Sequence, residues 1–171
     1  MKMLGFVFGR RPNAEANTAY IRKKFYGKQW ILRHLKKAGV DQKRLVEVYK
    51  CYIRPVIECS SNVYHALLTE EMTKEIENMQ RSALRLIFGN SISYRKCLEK
   101  ADVPTLQERR EKAFRSFAMK NQNHPRLAQK WFAKRHTTQT RQQEKYAVTN
   151  AKYDRLENGP LNQMRKLLNQ L

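Results

Sequence analysis

The side chains that could hold a metal ion or transfer a proton are few and scattered. Each of the three aspartates stands alone: Asp41 precedes a predicted helix as its cap, Asp102 lies beside a helix stop, and Asp154 lies in or near a polar tail. None of the aspartates forms an adjacent pair or a short cluster that could hold two metal ions, and no P-loop or GxGxxG is present. The histidines form no HxD, HxxxH or HExxH pattern, which leaves iron and zinc sites without support; they are His34, His65, His124 and His136. We therefore predict no catalytic residue, no metal ligand, no cofactor and no enzyme activity of the chain's own.

The cysteines favour a reducing compartment. Cys51, Cys59 and Cys97 are odd in number and include no CxxC, which argues against a disulfide framework. The sequence contains no run of about 18 apolar residues, so no membrane span is predicted. The first residues do not follow the order of a signal peptide. We expect the nucleus or the cytoplasm.

Lysine and arginine are the abundant functional side chains. They number 35 against 15 acidic residues, which gives a net charge of +20. An excess of this size attracts polyanions, with nucleic acid as the usual partner, an anionic membrane surface second, and a merely solvated surface as the alternative. Residues 1–50 and 106–171 each have a net charge of +10, while residues 51–105 are neutral. This distribution predicts a packed middle between two basic arms.

The first predicted helix, about residues 14–38, has two unlike faces. At 100° per residue, Tyr20, Ile21, Phe25, Ile31, Leu32 and Leu35 fall on one side and predict a face packed on a core. The opposite side combines cations that could neutralise phosphates with rings that could stack on bases. The alternative is a solvated face whose rings pack on a neighbouring domain. The predicted nucleic-acid contacts are Arg22, Lys23, Tyr26, Trp30, Arg33, Lys36 and Lys37.

The remaining pattern predicts a mainly α fold, a helical bundle with one short N-terminal strand at residues 2–8. Gly39 should end the first helix, and Pro55 should kink or break the second, residues 41–67, near Arg54. Thr69 should cap a third helix that ends at Gly89 and presents an apolar stripe to the core. Thr105 and Glu108 form a capping box for a later helix. The apolar stripe consists of Met72, Ile76, Met79, Ala83, Leu86 and Ile87.

The C-terminal part changes character near residue 135. Residues 135–158 are polar and without apolar periodicity, which predicts disorder, and Pro160 could open a last short helix. We divide the chain into a strand and turn at residues 1–12, a helical domain at 13–134, and a basic polar tail at 135–171. The stems of Arg109, Arg110, Lys112 and Arg115 are expected to cover apolar surface.

Two central segments resemble a known family. Residues 52–68 read YIRPVIECSSNVYHALL and residues 69–89 read TEEMTKEIENMQRSALRLIFG. Together they resemble the region that follows the palm in non-LTR (LINE-like) retrotransposon reverse transcriptases. KMLG at residues 2–5 looks like the strand that closes that palm, and LQERR at residues 106–110 looks like a downstream helix of the family. Tyr64 stands where the family commonly has Trp. The resemblance covers roughly residues 2–120.

The resemblance implies a thumb and downstream region without its catalytic palm. The full enzyme copies RNA into DNA with palm aspartates that lie upstream of this region. The resemblance therefore assigns polymerase activity to no residue of this chain. A thumb would contact the template–primer duplex, which agrees with the basic aromatic face of the first helix. The CCHC zinc knuckle of some relatives is missing here.

The segment around residues 26–64 also resembles what is called the N-terminal domain of AlkB-homologue alkylated-DNA repair proteins. That name suggests an iron and 2-oxoglutarate oxygenase. Because the HxD…H ligands of such an enzyme are missing from this sequence, we interpret this as a resemblance of shared helices.

Three hypotheses follow, in order of preference. The first is an element-derived helical bundle that binds RNA, DNA or their hybrid through the backbone charge. The second is an inert or interaction-only fragment, whose partner would be the missing palm domain. The third, an enzyme, has little support in these residues. No membrane partner is expected, and the sequence predicts no oligomeric state.

Overall fold

The computed structural model describes residues 2–3, 6–7, 14–132, 146–148 and 157–170. The fold is mainly α, as predicted, and the chain divides into unit 1, residues 1–61 and 68–109, and unit 2, residues 62–67 and 110–171. The α-helices are α1 (Glu15–Lys37), α2 (Gln42–Val48), α3 (Arg54–Glu58), α4 (Ser61–Tyr64), α5 (Glu70–Phe88), α6 (Tyr94–Ala101), α7 (Leu106–Asn121), α8 (Leu127–Trp131) and α9 (Pro160–Asn169).

The extended N-terminal segment is present, but it is folded back on itself. Two strands, β1 (Lys2–Met3) and β2 (Phe6–Val7), pair antiparallel with Lys2 opposite Val7. The backbone N–H of Val7 donates to the side-chain oxygen of Asn17 at 3.2 Å, and Asn17 is buried on α1. This bond satisfies a donor of the second strand and fixes the strand pair to the start of α1.

Helix α1 packs through the predicted apolar stripe and ends where predicted. Ile21, Phe25 and Leu32 are buried on one face. Gly39 follows the helix with a φ of +80°, a conformation that costs glycine little because it has no Cβ. The end of α1 and its buried face therefore follow from local sequence signals.

The predicted second helix is divided into shorter pieces. After α2, residues Tyr49–Ile53 form a π-helical turn that leads into α3. Pro55 explains this widened turn, because its nitrogen has no hydrogen to donate and its ring crowds the preceding turn. The helical run then stops at Ser60, which has a φ of +60°, before α4 and a 3-10 turn at His65–Leu67. Asp41 stands at the N-cap position of α2, but its side chain makes no capping bond.

The later helices begin at the predicted caps. The Thr69 hydroxyl accepts a hydrogen bond from the backbone of Met72 at 3.3 Å at the start of α5. Thr105 and Glu108 exchange the two bonds of a capping box at the start of α7, at 3.2 Å and 3.1 Å. Four members of the predicted stripe of α5 are fully buried and two are partly buried; the buried ones are Ile76, Met79, Ala83 and Ile87.

Unit 2 has an apolar core of its own. The predicted last helix, α9, contributes to it, and Tyr146 is buried there although it lies in the stretch predicted to be disordered. Tyr146 is held by two hydrogen bonds between its backbone and the side chain of Asn169, at 2.9 Å and 3.0 Å. Most of residues 135–158 lie outside the described residues. The buried core consists of Phe114, Ala118, Phe132, Tyr146, Met164 and Leu168.

Candidate nucleic-acid interface

Helices α1 and α5 of unit 1 run side by side in the same direction. Arg22 forms an ion pair with Glu75 at 2.9 Å, and the Gln29 amide donates to the Ser82 hydroxyl at 2.8 Å; each pair is separated by 53 residues. One heptad further along α1, the Lys36 ammonium donates to the backbone carbonyl of Leu86 at 2.7 Å. The nearly constant offset means that the two helices are parallel and that their C-terminal ends lie together.

A basic groove of about 840 Å³ lies along the C-terminal halves of these two helices. We call it the α1–α5 groove. Five of its lining side chains are cationic, and no carboxylate is among the lining residues. The neighbouring lining side chains Gln29, Asn78, Ser82 and Asn90 are neutral hydrogen-bonding groups. The cations are Arg33, Lys36, Lys37, Arg81 and Arg85.

The five cations are not equivalent. Lys36 donates to the carbonyls of Leu86 and Ile87 at the end of α5, where helix carbonyls lack partners within the helix. The Arg81 guanidinium lies over the Tyr94 ring, 4.9 Å from its centroid. The other three, Arg33, Lys37 and Arg85, are exposed, and within the described part of the chain their side chains make no hydrogen bond or ion pair. Three positive charges are therefore available to an anion.

The predicted contact residues fall into three groups. Arg33, Lys36 and Lys37 line the α1–α5 groove. Arg22 is paired with Glu75, and Lys23 is exposed at the edge of the predicted face that is farther from Lys36. The two predicted rings, Tyr26 and Trp30, are about half exposed, at 51% and 52%. The structure thus brings three of the seven together in one groove and leaves the two rings on the adjoining surface.

Sequence reasoning missed Arg81 and Arg85 as groove residues. Residues 51–105 are neutral in total, which concealed a separation of charge along α5. Its four acidic residues, Glu70, Glu71, Glu75 and Glu77, lie in the first half, and two arginines follow one helical turn apart in the second. The i, i+4 spacing of Arg81 and Arg85 was the available signal, because such residues share one face of a helix.

Each exposed ring is supported by one aromatic neighbour on the same helix. Phe25 and Tyr26 meet edge to face with centroids 5.2 Å apart, and Trp30 meets His34 in the same way at 4.9 Å. His34 is fixed in turn by a hydrogen bond of 2.9 Å between its Nδ1 and the carbonyl of Trp30. An edge-to-face contact covers at most one face of a ring, and about half of the surface of each of the two residues stays exposed.

Polar residues of the resemblance segments form a network inside unit 1. Gln80 is fully buried; its oxygen accepts from the Tyr49 hydroxyl at 2.6 Å, and its amide donates to the Tyr94 hydroxyl and to the carbonyl of Pro104, both at 3.1 Å. The Tyr94 hydroxyl also donates to Glu77. Burial raises the pKa of both Tyr49 and Tyr94, and the bond to Glu77 raises that of Tyr94 further. Gln80 is therefore a structural residue that joins three parts of the unit.

A second polar contact of these segments joins α3 to α7. Arg109 donates two hydrogen bonds to the carboxylate of Glu58, one of them 3.1 Å long. The bond to Glu58 raises the pKa of Arg109 above its ordinary value. Arg54 lies beside the same carboxylate at 3.7 Å. Because Arg109 is occupied in this way and Arg110 is buried, neither offers an exposed charge to a polyanion.

The histidines and carboxylates that the structure describes do not gather into a metal site. Among the described residues, no group of three His, Cys, Asp or Glu side chains could hold a metal ion. In unit 2, His65 packs on Phe114 with ring centroids 5.0 Å apart, and burial together with the charge of Arg110 lowers its pKa. His136 and Asp154 lie outside the described residues. No helix in the described ranges is both long and apolar enough to cross a membrane.

Comparison of the chain with protein-family models, with curated proteins and with solved structures gave no match. The resemblance to the region after a reverse-transcriptase palm therefore stays a prediction from the sequence. The geometry of the α1–α5 groove is independent of that resemblance.

Proposed function

We propose that this protein binds nucleic acid through the α1–α5 groove, chiefly by contacts with phosphate oxygens. The observation that supports the proposal is the groove lining, which has five cationic side chains and no carboxylate. Cations gathered in one concave site attract a polyanion more strongly than the same charges dispersed over a surface, because their potentials add. Phosphate contacts of this kind fix the position of a strand without reading its sequence.

The resemblance gives the proposal a biological setting. A region that follows the palm of a reverse transcriptase would hold RNA, DNA or their hybrid for a catalytic domain. No polymerase step is assigned to any residue here, and the proposed role is binding. We expect this role in the nucleus or the cytoplasm, where nucleic acid is found.

The test is the salt dependence of binding. We would replace the three unpaired groove cations together, in R33Q/K37Q/R85Q, and titrate labelled duplex and single-stranded oligonucleotides by fluorescence anisotropy. Each lost phosphate contact should reduce the slope of log K against log salt by about 0.9 for duplex and about 0.7 for a single strand. The variant should therefore lose about 2.7 or about 2.1 from its slope. Between 50 and 200 mM salt, such slopes correspond to changes in affinity of roughly 40-fold and 20-fold.

A matched control has the same loss of charge elsewhere. Lys43, Lys96 and Lys100 are exposed residues of unit 1 that do not line the groove. The variant K43Q/K96Q/K100Q should keep most of the wild-type slope. Equal slopes for the two triple variants would refute the groove as the site, because the binding would then depend only on net charge.

A second candidate function is an interaction domain. The side of α1 away from α5 has an apolar hollow of about 460 Å³ lined by Ile31, Leu35, Val48 and Tyr52, among others. Its occupant would be the palm domain that the resemblance implies. This candidate predicts that R33Q/K37Q/R85Q leaves the association of the protein with its partner unchanged.

A further inference from the structure

The exposed rings of α1 lie in the same helical stripe as two of the groove cations. At 100° per residue, Arg33, Tyr26, Lys37 and Trp30 fall within about 60° of arc. Along the helix axis, Tyr26 and Trp30 are about 6 Å apart, and Arg33 and Lys37 follow over a further 10 Å or so. Residues 22–37 include seven lysines and arginines and no acidic residue. A strand whose phosphates meet the groove would therefore pass next to both rings.

The exposed rings of Tyr26 and Trp30 can make stacking contacts, which phosphate groups cannot accept. Each is about half exposed, and each contacts its aromatic neighbour edge to face, an arrangement that covers at most one ring face. A free aromatic face next to cations is suited to stacking on a nucleic-acid base. Large apolar rings left in water are otherwise unfavourable, so a partner that covers them gains their burial.

Base faces are available in single strands and not within a duplex. In a duplex each base is covered above and below by its neighbours at a spacing of about 3.4 Å, and a helix that approaches meets base edges or phosphates. In an unpaired strand the bases can be separated and stacked on aromatic side chains. Residues 26 and 30 are spaced about 6 Å along the helix axis, which is more than the stacking distance of bases in a duplex, so we expect bases that stack on both rings to be separated from each other.

Building on the proposed function, we propose that the ligand of this surface is a single-stranded nucleic acid. Its phosphates lie along the cations of the α1–α5 groove, and its unpaired bases stack on Tyr26 and Trp30. RNA and DNA share this chemistry, since every base has an aromatic face.

The experiment compares single-stranded and duplex probes on variants of Trp30. The chain has two tryptophans, so W131F leaves Trp30 as the only one and makes its fluorescence a direct report on this surface. An oligothymidylate and an oligouridylate should both quench that fluorescence, and a blunt duplex of the same length should quench it weakly. The ratio of the two single-strand affinities distinguishes DNA from RNA as the preferred ligand.

Substitutions then separate stacking from general apolar contact. W30L keeps apolar bulk and removes the ring, and we expect it to weaken single-strand binding by about 5- to 150-fold, the range that corresponds to stacking of one base. Duplex binding should change by less than about twofold, because phosphate contacts are unaltered. W30F should restore most of the single-strand affinity. M119A, which removes a half-exposed apolar side chain of unit 2, is the control and should change neither affinity.

The outcomes distinguish this inference from the function on which it rests. In one outcome R33Q/K37Q/R85Q reduces the salt slope, and W30L either weakens the binding of both probes equally or leaves both unchanged. The phosphate site then stands, and the single-strand inference is overturned. If no probe binds at low salt, both are overturned. Selective loss of single-strand affinity in W30L with rescue by W30F supports both.

Discussion

Lys36 and Arg33 are neighbours on α1 that make different contacts. Replacing each by Gln should show which side chain stabilises the fold and which contributes to nucleic-acid binding. The Lys36 ammonium donates to the carbonyls of Leu86 and Ile87, at 2.7 Å and 3.3 Å. These carbonyls lie at the negative end of the dipole of α5, where a cation is stabilising. Arg33 is exposed and lines the same groove without such contacts within the described residues.

The expected magnitudes follow from these contacts. A cation at a helix C-terminus contributes about 0.3–1 kcal/mol, and the hydrogen bonds of Lys36 add to this only modestly because its side chain is exposed and screened. We therefore expect K36Q to cost about 1 kcal/mol of unfolding free energy and R33Q to cost less than about 0.5 kcal/mol. For binding the order is reversed: R33Q should lower the salt slope by about 0.7–0.9, and K36Q by clearly less.

The assay uses Trp30 of α1 in the W131F background as the reporter of unit 1. Urea unfolding followed by its fluorescence should show K36Q with a midpoint lower by about 0.3–1 M, for an m-value of about 1–3 kcal/mol/M. R33Q should unfold with the parent midpoint. Salt titrations of oligonucleotide binding on the same two proteins give the slopes. A K36Q slope reduced as much as that of R33Q, with an unchanged midpoint, would show that Lys36 contacts phosphate and does not support α5.

Two further substitutions test the surroundings of the groove and its support. E75Q removes the carboxylate that neutralises Arg22, so binding at low salt should become tighter and the slope steeper by about 0.7–0.9; unchanged or weaker binding would place Arg22 outside the interface. Q80L leaves the Tyr49 hydroxyl and the carbonyl of Pro104 without their partner, at a cost of about 1–3 kcal/mol for each group in urea unfolding. Y49F/Q80L should recover part of this loss, since removing both partners leaves one fewer buried polar group unpaired, and a double variant less stable than Q80L would contradict the network.

Features that depend on a few adjacent residues were predictable from the sequence. Thr69 caps α5, Gly39 follows α1 with a positive φ, and Thr105 and Glu108 close a capping box. Each is an interaction across three or four residues, so the local sequence determines it. The apolar stripe of α5 was predictable for the same reason, because helical periodicity fixes which side chains share a face.

Features that depend on distant residues were predicted only in part. The groove exists because α1 lies parallel to α5 at an offset of 53 residues, which no local pattern specifies. For this reason Arg81 and Arg85 were counted within a neutral middle segment, and the pairing of Arg22 with Glu75 was not foreseen. Pro55 indicated a break near Arg54, but the local pattern did not specify its form, a π-helical turn at Tyr49–Ile53.

The residues that carry the resemblance and the residues that carry the proposed function overlap only in part. Glu58, Gln80 and Arg109 belong to the resemblance segments, and the structure places them in internal contacts between helices. Arg81 and Arg85 belong to the same segments and line the groove, whereas Arg33 and Lys37 line it from outside those segments. The internal contacts of Glu58, Gln80 and Arg109 bear on the fold, and a fold by itself does not imply a function. Binding by the groove can therefore be tested without assuming descent from a reverse transcriptase, and loss of binding in R33Q/K37Q/R85Q would not depend on whether the resemblance reflects ancestry.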